Sequence, residues 1–133
     1  MTRIFLGAAI GFFLAGIALT GAVRAETTLP ANKSVMIYDF AVWHPSTCAH
    51  FGKPKYRVRT EPKHGKLHFV HGVSKSDSLP SHCKGKVKGL QVIYTPDRGY
   101  RGPDSFVLTV LQPRFVGDPA PRGSTVRPKF TVK

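Results

Sequence analysis

Beyond residue 30 the chain alternates apolar and polar positions in short runs separated by turn formers, the period-two signature of half-buried strands. Lys55 to Thr60 alternates cleanly, with Tyr56 and Val58 on one side and Lys55, Arg57 and Arg59 on the other. Lys66 to His71 sets Leu67 and Phe69 inward and Lys66 and His68 outward, and Pro62 and Gly65 mark its entrance. Val87 to Tyr94 places Leu90, Val92 and Tyr94 on one face, and Ser105 to Leu111 does the same with Phe106, Leu108 and Val110. Ser34 to Trp43 is apolar on both faces, Val35 and Ile37 against Met36, Tyr38 and Phe40, which predicts a central or bent strand. Val73 to His82 is polar and turn-rich and reads as a loop ending at Cys83. A weak edge near Thr27 to Pro30, and a closing strand from Ser124 to Val132 after a Pro- and Gly-rich excursion, bring the expectation to about seven antiparallel strands. No stretch carries an apolar stripe at helical spacing. The pattern predicts one all-β sandwich domain over residues 26–133.

Composition agrees with that expectation. An apolar fraction of 41%, with nine Phe, four Tyr and one Trp, can fill a core, while 13 Gly and 11 Pro favour short elements joined by turns. The 133-residue length suits a single domain.

The first 25 residues differ from the rest. Arg3 precedes an uncharged run from Ile4 to Val23, and Val23-Arg24-Ala25 resembles the small-residue site before a cleavage point. We read residues 1–25 as a hydrophobic leader helix and signal peptide, which predicts a periplasmic or secreted protein. The rival is an uncleaved membrane anchor, since a run of this length just spans a bilayer; Gly16, Thr20 and Gly21 weaken such a helix, and a cleaved leader leaves no transmembrane anchor. Export would place Cys48 and Cys83 in an oxidising compartment, where a disulfide is the economical reading, within one chain or between two.

A second pattern lies in Tyr94-Thr95-Pro96-Asp97-Arg98-Gly99-Tyr100-Arg101-Gly102-Pro103-Asp104-Ser105-Phe106. It resembles the repeat of bacterial cadherin-like and immunoglobulin-like surface domains, which reads Tyr-x-Pro, an aromatic, then Gly-x-Asp-x-Phe. Pro62-Lys63-His64-Gly65-Lys66-Leu67 is similar to the same family's Pro-x-His-Gly-x-Leu turn, so the resemblance spans Val35 to Val132. It implies an immunoglobulin/cadherin-like sandwich in which His64, Gly65, Tyr94, Pro96, Tyr100, Gly102, Asp104 and Phe106 serve the scaffold. Tyr100 would bond backbone as a tyrosine corner does, and Asp104 would accept backbone N–H bonds. The resemblance does not carry calcium with it, because that ion needs clustered carboxylates and Asp97, Asp104 and Asp118 stand apart among arginines.

Charge changes the picture most. Of 20 Lys+Arg against 7 Asp+Glu, only Arg3 and Arg24 fall in residues 1–25, which hold no acid, so residues 26–133 carry 18 against 7, a net +11. Such a balance attracts polyanions. Lys53, Lys55, Arg57 and Arg59 recur at every second position, as do Lys84, Lys86 and Lys88, and each set would project from one side of a strand. Same-face neighbours stand roughly 7 Å apart, inside a Debye length of about 8 Å, so their potentials add. The expected partner is an anionic polysaccharide or lipid surface, or a protein. Nucleic acid fits less well, since no array of exposed aromatics for stacking bases is evident.

His44, His50 and His82 flank the two cysteines and form an alternative copper or zinc site, against which stands a disulfide with exposed histidines around it. No cofactor is implied. A catalytic reading has little to rest on: there is no Gly-x-Ser-x-Gly elbow or His-Glu-x-x-His helix, and Glu61 is the single glutamate beyond Glu26. The leading expectation is a non-catalytic binding module, with an exported metal-binding protein and a structural accessory subunit as alternatives.

Overall fold

The computed structural model describes residues 26–133, and the leader over residues 1–25 lies outside the described residues. The described chain is almost entirely β: β1 (Thr28–Leu29), β2 (Val35–Phe40), β3 (Lys55–Thr60), β4 (Gly65–Val73), a 3-10 turn (Ser81–Cys83), β5 (Lys88–Pro96), β6 (Gly102–Ser105), β7 (Val107–Gln112), β8 (Arg122–Val126) and β9 (Lys129–Val132). They form three small sheets, ordered β2-β5-β4, β3-β7-β8 and β1-β9-β6.

The second and third sheets share one ladder. Ser105 faces Lys129 across β6 and β9, and Leu108 faces Val126 across β7 and β8, so the register runs through unbroken. In that register Pro128, which has no N–H to donate, stands opposite Phe106, and the pairing lapses there. The closing strand expected from Ser124 to Val132 is therefore two, β8 and β9, and β6 forms within the motif ahead of the strand expected from Ser105, giving nine strands among the described residues. The strands are not all antiparallel either, because β1 pairs parallel to β9.

Alternation decides the interior. Leu90, Val92 and Tyr94 of β5 are fully buried, as are Leu108 and Val110 of β7, and these join Phe106, Phe130, Val132 and Leu29 in one cluster. Each such side chain stabilises the fold by roughly 1.5–3 kcal/mol when taken out of water. Because the cluster draws on all three sheets, residues 26–133 carry their own core.

β2 corrects part of the sequence expectation. It is an edge strand, not a central one, but it is bent: its pairing with β5 slips between Met36 and Tyr38. That bulge turns Tyr38 and Phe40 onto the same side as Val35, where all three pack on the core, and it explains why both faces look apolar in sequence.

The two sequence motifs meet at one carboxylate. Asp104, which is 8% exposed, accepts from Lys63 N–H (3.0 Å) and Ser105 N–H (2.9 Å) at Oδ1, and from His64 N–H (3.0 Å) and the Tyr94 hydroxyl (2.8 Å) at Oδ2. Burial alone would raise its pKa; the Tyr94 hydroxyl, with the Ser105, Lys63 and His64 N–H groups, outweighs it and holds the carboxyl below its ordinary value. Burial first, and then the bond to Asp104, drive the Tyr94 phenol well above its usual range. Gly65 is required beside this hub: a Cβ there would lie 2.4 Å from Tyr94 Cε2 and 2.7 Å from the Thr95 carbonyl. Gly102, at φ +139°, turns the chain into β6. Nearby, the Tyr100 hydroxyl donates to the Pro103 carbonyl (2.6 Å) and its ring stacks on His64 at 4.0 Å. Pro96 closes β5 opposite Gly65, and Asp97 N–H then bonds the His64 carbonyl (2.8 Å).

Two outcomes follow from the hub. Asp104→Ala leaves buried donors without an acceptor and lowers unfolding free energy by about 2–4 kcal/mol in urea titration, and Gly65→Ala costs about 1–3 kcal/mol by forcing the Tyr94 ring aside. A depressed folded pKa means that Asp104 contributes fully above its unfolded value of about 3.9 and loses that contribution as pH falls toward the folded one. Stability of wild type therefore drops below about pH 4 by a component that Asp104→Asn lacks.

Candidate polyanion-binding surface

The outer face of the β3-β7-β8 sheet is built by a strict alternation. Leu108 and Val110 point into the core, so their neighbours point out, and Arg57, Thr109 and Thr125 form one row across the three strands. The threonine hydroxyls bond each other (3.0 Å), and Arg59 Nε donates to Thr109 Oγ1 (3.4 Å). Arg59 sits where the β3–β7 pairing shifts, between Val58 and Thr60. Arg59, Thr109, Thr125 and Arg127 line a common depression, and Lys55 lies one row further along the sheet. This face thus gathers Lys55, Arg57, Arg59 and Arg127.

The outer face of the β2-β5-β4 sheet differs in charge. Along β4 and β5 the outward positions are Lys66, His68, Val70, Gln91, Ile93 and Thr95, a single lysine among neutral groups. Of the two outward strand faces, the β3-β7-β8 sheet therefore carries the greater positive charge.

Three of the seven carboxylates are engaged by the fold. Asp104 is enclosed by donors, Asp39 Oδ2 accepts from Ser74 Oγ (3.0 Å) and Lys75 N–H (2.7 Å), and Asp118 is held by Arg114. Among the described residues Arg114–Asp118 is the one ion pair. The arginines of the basic face stand in solvent without a carboxylate partner, so their fields add outward instead of cancelling.

The second basic run departs from its expectation. Lys84 and Lys86 are not on a strand; they belong to the turn after Ser81–Cys83, closed by Lys86 N–H to the Cys83 carbonyl (3.1 Å), and only Lys88 enters β5. Turn pairing, not pleat, sets their directions. Lys88 instead meets Lys53 across a cleft of about 380 Å³, which His50 and His71 also line. His71 Nε2 is fixed against the Pro54 carbonyl (3.1 Å). The floor is bare because Gly72 and Gly89 are paired cross-strand neighbours.

Cys48 and Cys83 are joined in one chain, bridging the Trp43–His50 hairpin to the turn before β5. Together with Leu79 and Val87 they form a second buried cluster. The histidines are scattered around this bridge. His82 Nε2 sits 2.9 Å from the Pro45 carbonyl, His44 Nδ1 accepts from Ser46 N–H (3.3 Å), and His50 faces the lysine cleft. His44, His50 and His82 do not form a ligand group. The one group of three metal-capable residues among the described residues is Cys48, His82 and Cys83, whose sulfurs are consumed by their own bond.

Sequence reasoning missed Arg127 and the approach of Lys53 to Lys88. Arg127 was available from alternation, since it shares parity with Thr125, whereas the lysine cleft arises from long-range pairing that spacing does not encode. No family model, curated protein or solved structure matched the chain.

The bridge closes a separation of 35 residues, for which chain entropy gives about 3–4 kcal/mol. The Cys48→Ser/Cys83→Ser variant should lose up to that amount in denaturant unfolding. Hydrogen exchange should quicken first over Trp43–His50, while the β4–β5 ladder stays protected.

Proposed function

We propose that this protein is an exported, non-catalytic binding module that docks anionic envelope material through the outer face of the β3-β7-β8 sheet, on an immunoglobulin/cadherin-like sandwich scaffold. The observation that carries the reading is the one-sided charge: Lys55, Arg57, Arg59 and Arg127 on one outer face against Lys66 alone on the other strand face. A cation needed only for solubility has no reason to be sorted in this way, and a sorted set raises the local concentration of a polyanion.

Three further observations support it. The Cys48–Cys83 bond favours an oxidising compartment, in keeping with a leader over residues 1–25. The Asp104 hub gives both motifs that resemble the surface-domain family a scaffold role, leaving the outer faces free for recognition. The basic row is interleaved with threonine hydroxyls, which suit the mixed hydroxyl and carboxylate groups of an acidic polysaccharide.

Binding of residues 26–133 to an acidic polysaccharide is expected to fall steeply between low and physiological salt. The Lys55→Glu/Arg57→Glu/Arg59→Glu variant should bind on the order of a hundredfold more weakly while unfolding at an unchanged denaturant midpoint. Binding that resists salt, or that survives charge reversal, would contradict the reading.

A further inference from the structure

Residues 113–121, between β7 and β8, hold a feature that charge alone does not explain. The loop is clamped from inside. Asp118, whose side chain is fully covered, accepts from Arg114 N–H (2.9 Å), Arg114 Nε (3.0 Å), Arg114 Nη2 (3.1 Å) and Ala120 N–H (2.9 Å). Arg114 Nη2 also donates to the Ala120 carbonyl (3.2 Å), and Asp118 N–H to that of Phe115 (3.2 Å). A bidentate arginine–carboxylate pair with backbone bonds at both ends fixes the loop's shape.

That fixed shape holds two apolar side chains in water. Phe115 is 49% exposed and Val116 is 77% exposed, adjacent at the tip. The clamp thus holds apolar surface in contact with water, an arrangement that costs free energy in solution.

Cations ring the base of this tip. Lys55 stands opposite Leu111 on the neighbouring strand, and Arg122 opposite Gln112. Gly52, next to Lys53, lies close enough that a Cβ on it would sit 3.6 Å from Pro113 Cγ. Arg114 itself places its guanidinium 5.8 Å from the Phe115 ring centre. An apolar point inside a cationic collar matches the layering of a bilayer surface, with acyl chains beneath a plane of phosphates. A polysaccharide offers the charge but no apolar phase for Phe115 and Val116.

We propose that the tip inserts into an anionic phospholipid surface, Phe115 and Val116 entering the acyl boundary while Lys53, Lys55 and Arg122 hold headgroup phosphates. The inference rests on the anionic-docking reading and adds to it a lipid surface as the partner of the tip.

The test uses residues 26–133, which carry the whole described core and omit the uncharged run over 4–23 that would partition by itself. Phe115→Trp supplies a reporter, with Trp43 of the unsubstituted protein as the control. On vesicles of phosphatidylcholine and phosphatidylglycerol, the added Trp should shift to the blue and be quenched by acyl-brominated lipid, while Trp43 is not. Phe115→Ser/Val116→Ser should weaken vesicle binding by about tenfold or more, yet leave polysaccharide binding and the unfolding midpoint unchanged. Vesicle binding that is equal in the serine variant, unquenched in the Trp variant, or as strong on pure phosphatidylcholine overturns the insertion and leaves the basic face standing. Loss of polysaccharide binding in the serine variant also overturns it. Failure of the unsubstituted protein to bind vesicles and polysaccharide alike overturns both readings.

Discussion

The Asp104 carboxylate sits at the rim of the core without an ion-pair partner, held by the backbone of Lys63, His64 and Ser105 and by the Tyr94 hydroxyl. These donors come from the turn entering β4, from β5 and from the β6–β7 junction, so one side chain fixes how three segments meet. Burying a carboxylate costs free energy that its hydrogen bonds must offset, and removing any donor exposes part of that cost. The fold around it obeys that constraint. Gly65 is bare so that the Tyr94 ring can lie across it, and the Tyr100 hydroxyl closes the corner onto Pro103.

The same use of acids shapes the outside. Asp39, Asp104 and Asp118 each serve the fold as acceptors, which withdraws them from balancing lysine and arginine at the surface. A chain with few acids to begin with is left with cations facing solvent, and alternation in β3 sorts several onto one face. The β7–β8 loop extends that logic, since Asp118 is spent on clamping Arg114 and so on keeping Phe115 and Val116 at the tip.

Much of this fold was legible as pattern. The bounds of β3 follow from clean alternation, and the inward sets of β5 and β7 from the same rule. The break at Pro128 was not, because a missing ladder bond shows only once the partner strand is known. β2 looked central because a bulge mimics a two-sided apolar strand in sequence. At the surface, Lys84, Lys86 and Lys88 alternate as a strand would but lie mostly in a turn, where pairing geometry overrides pleat. The three histidines cluster in sequence around the cysteines and separate in space, since His44 and His82 bond to backbone nearby while His50 turns toward the lysine cleft. Spacing reports which residues share a face; it does not report which faces meet.

The most direct test of the account is a map of amide shifts in isotope-labelled residues 26–133 titrated with a short acidic oligosaccharide. The account predicts that the shifts concentrate on Lys55, Arg57, Arg59, Thr109, Thr125 and Arg127, with Lys66, His68 and Ile93 unmoved. Shifts centred on the β2-β5-β4 face, or spread evenly over every exposed lysine, would contradict it.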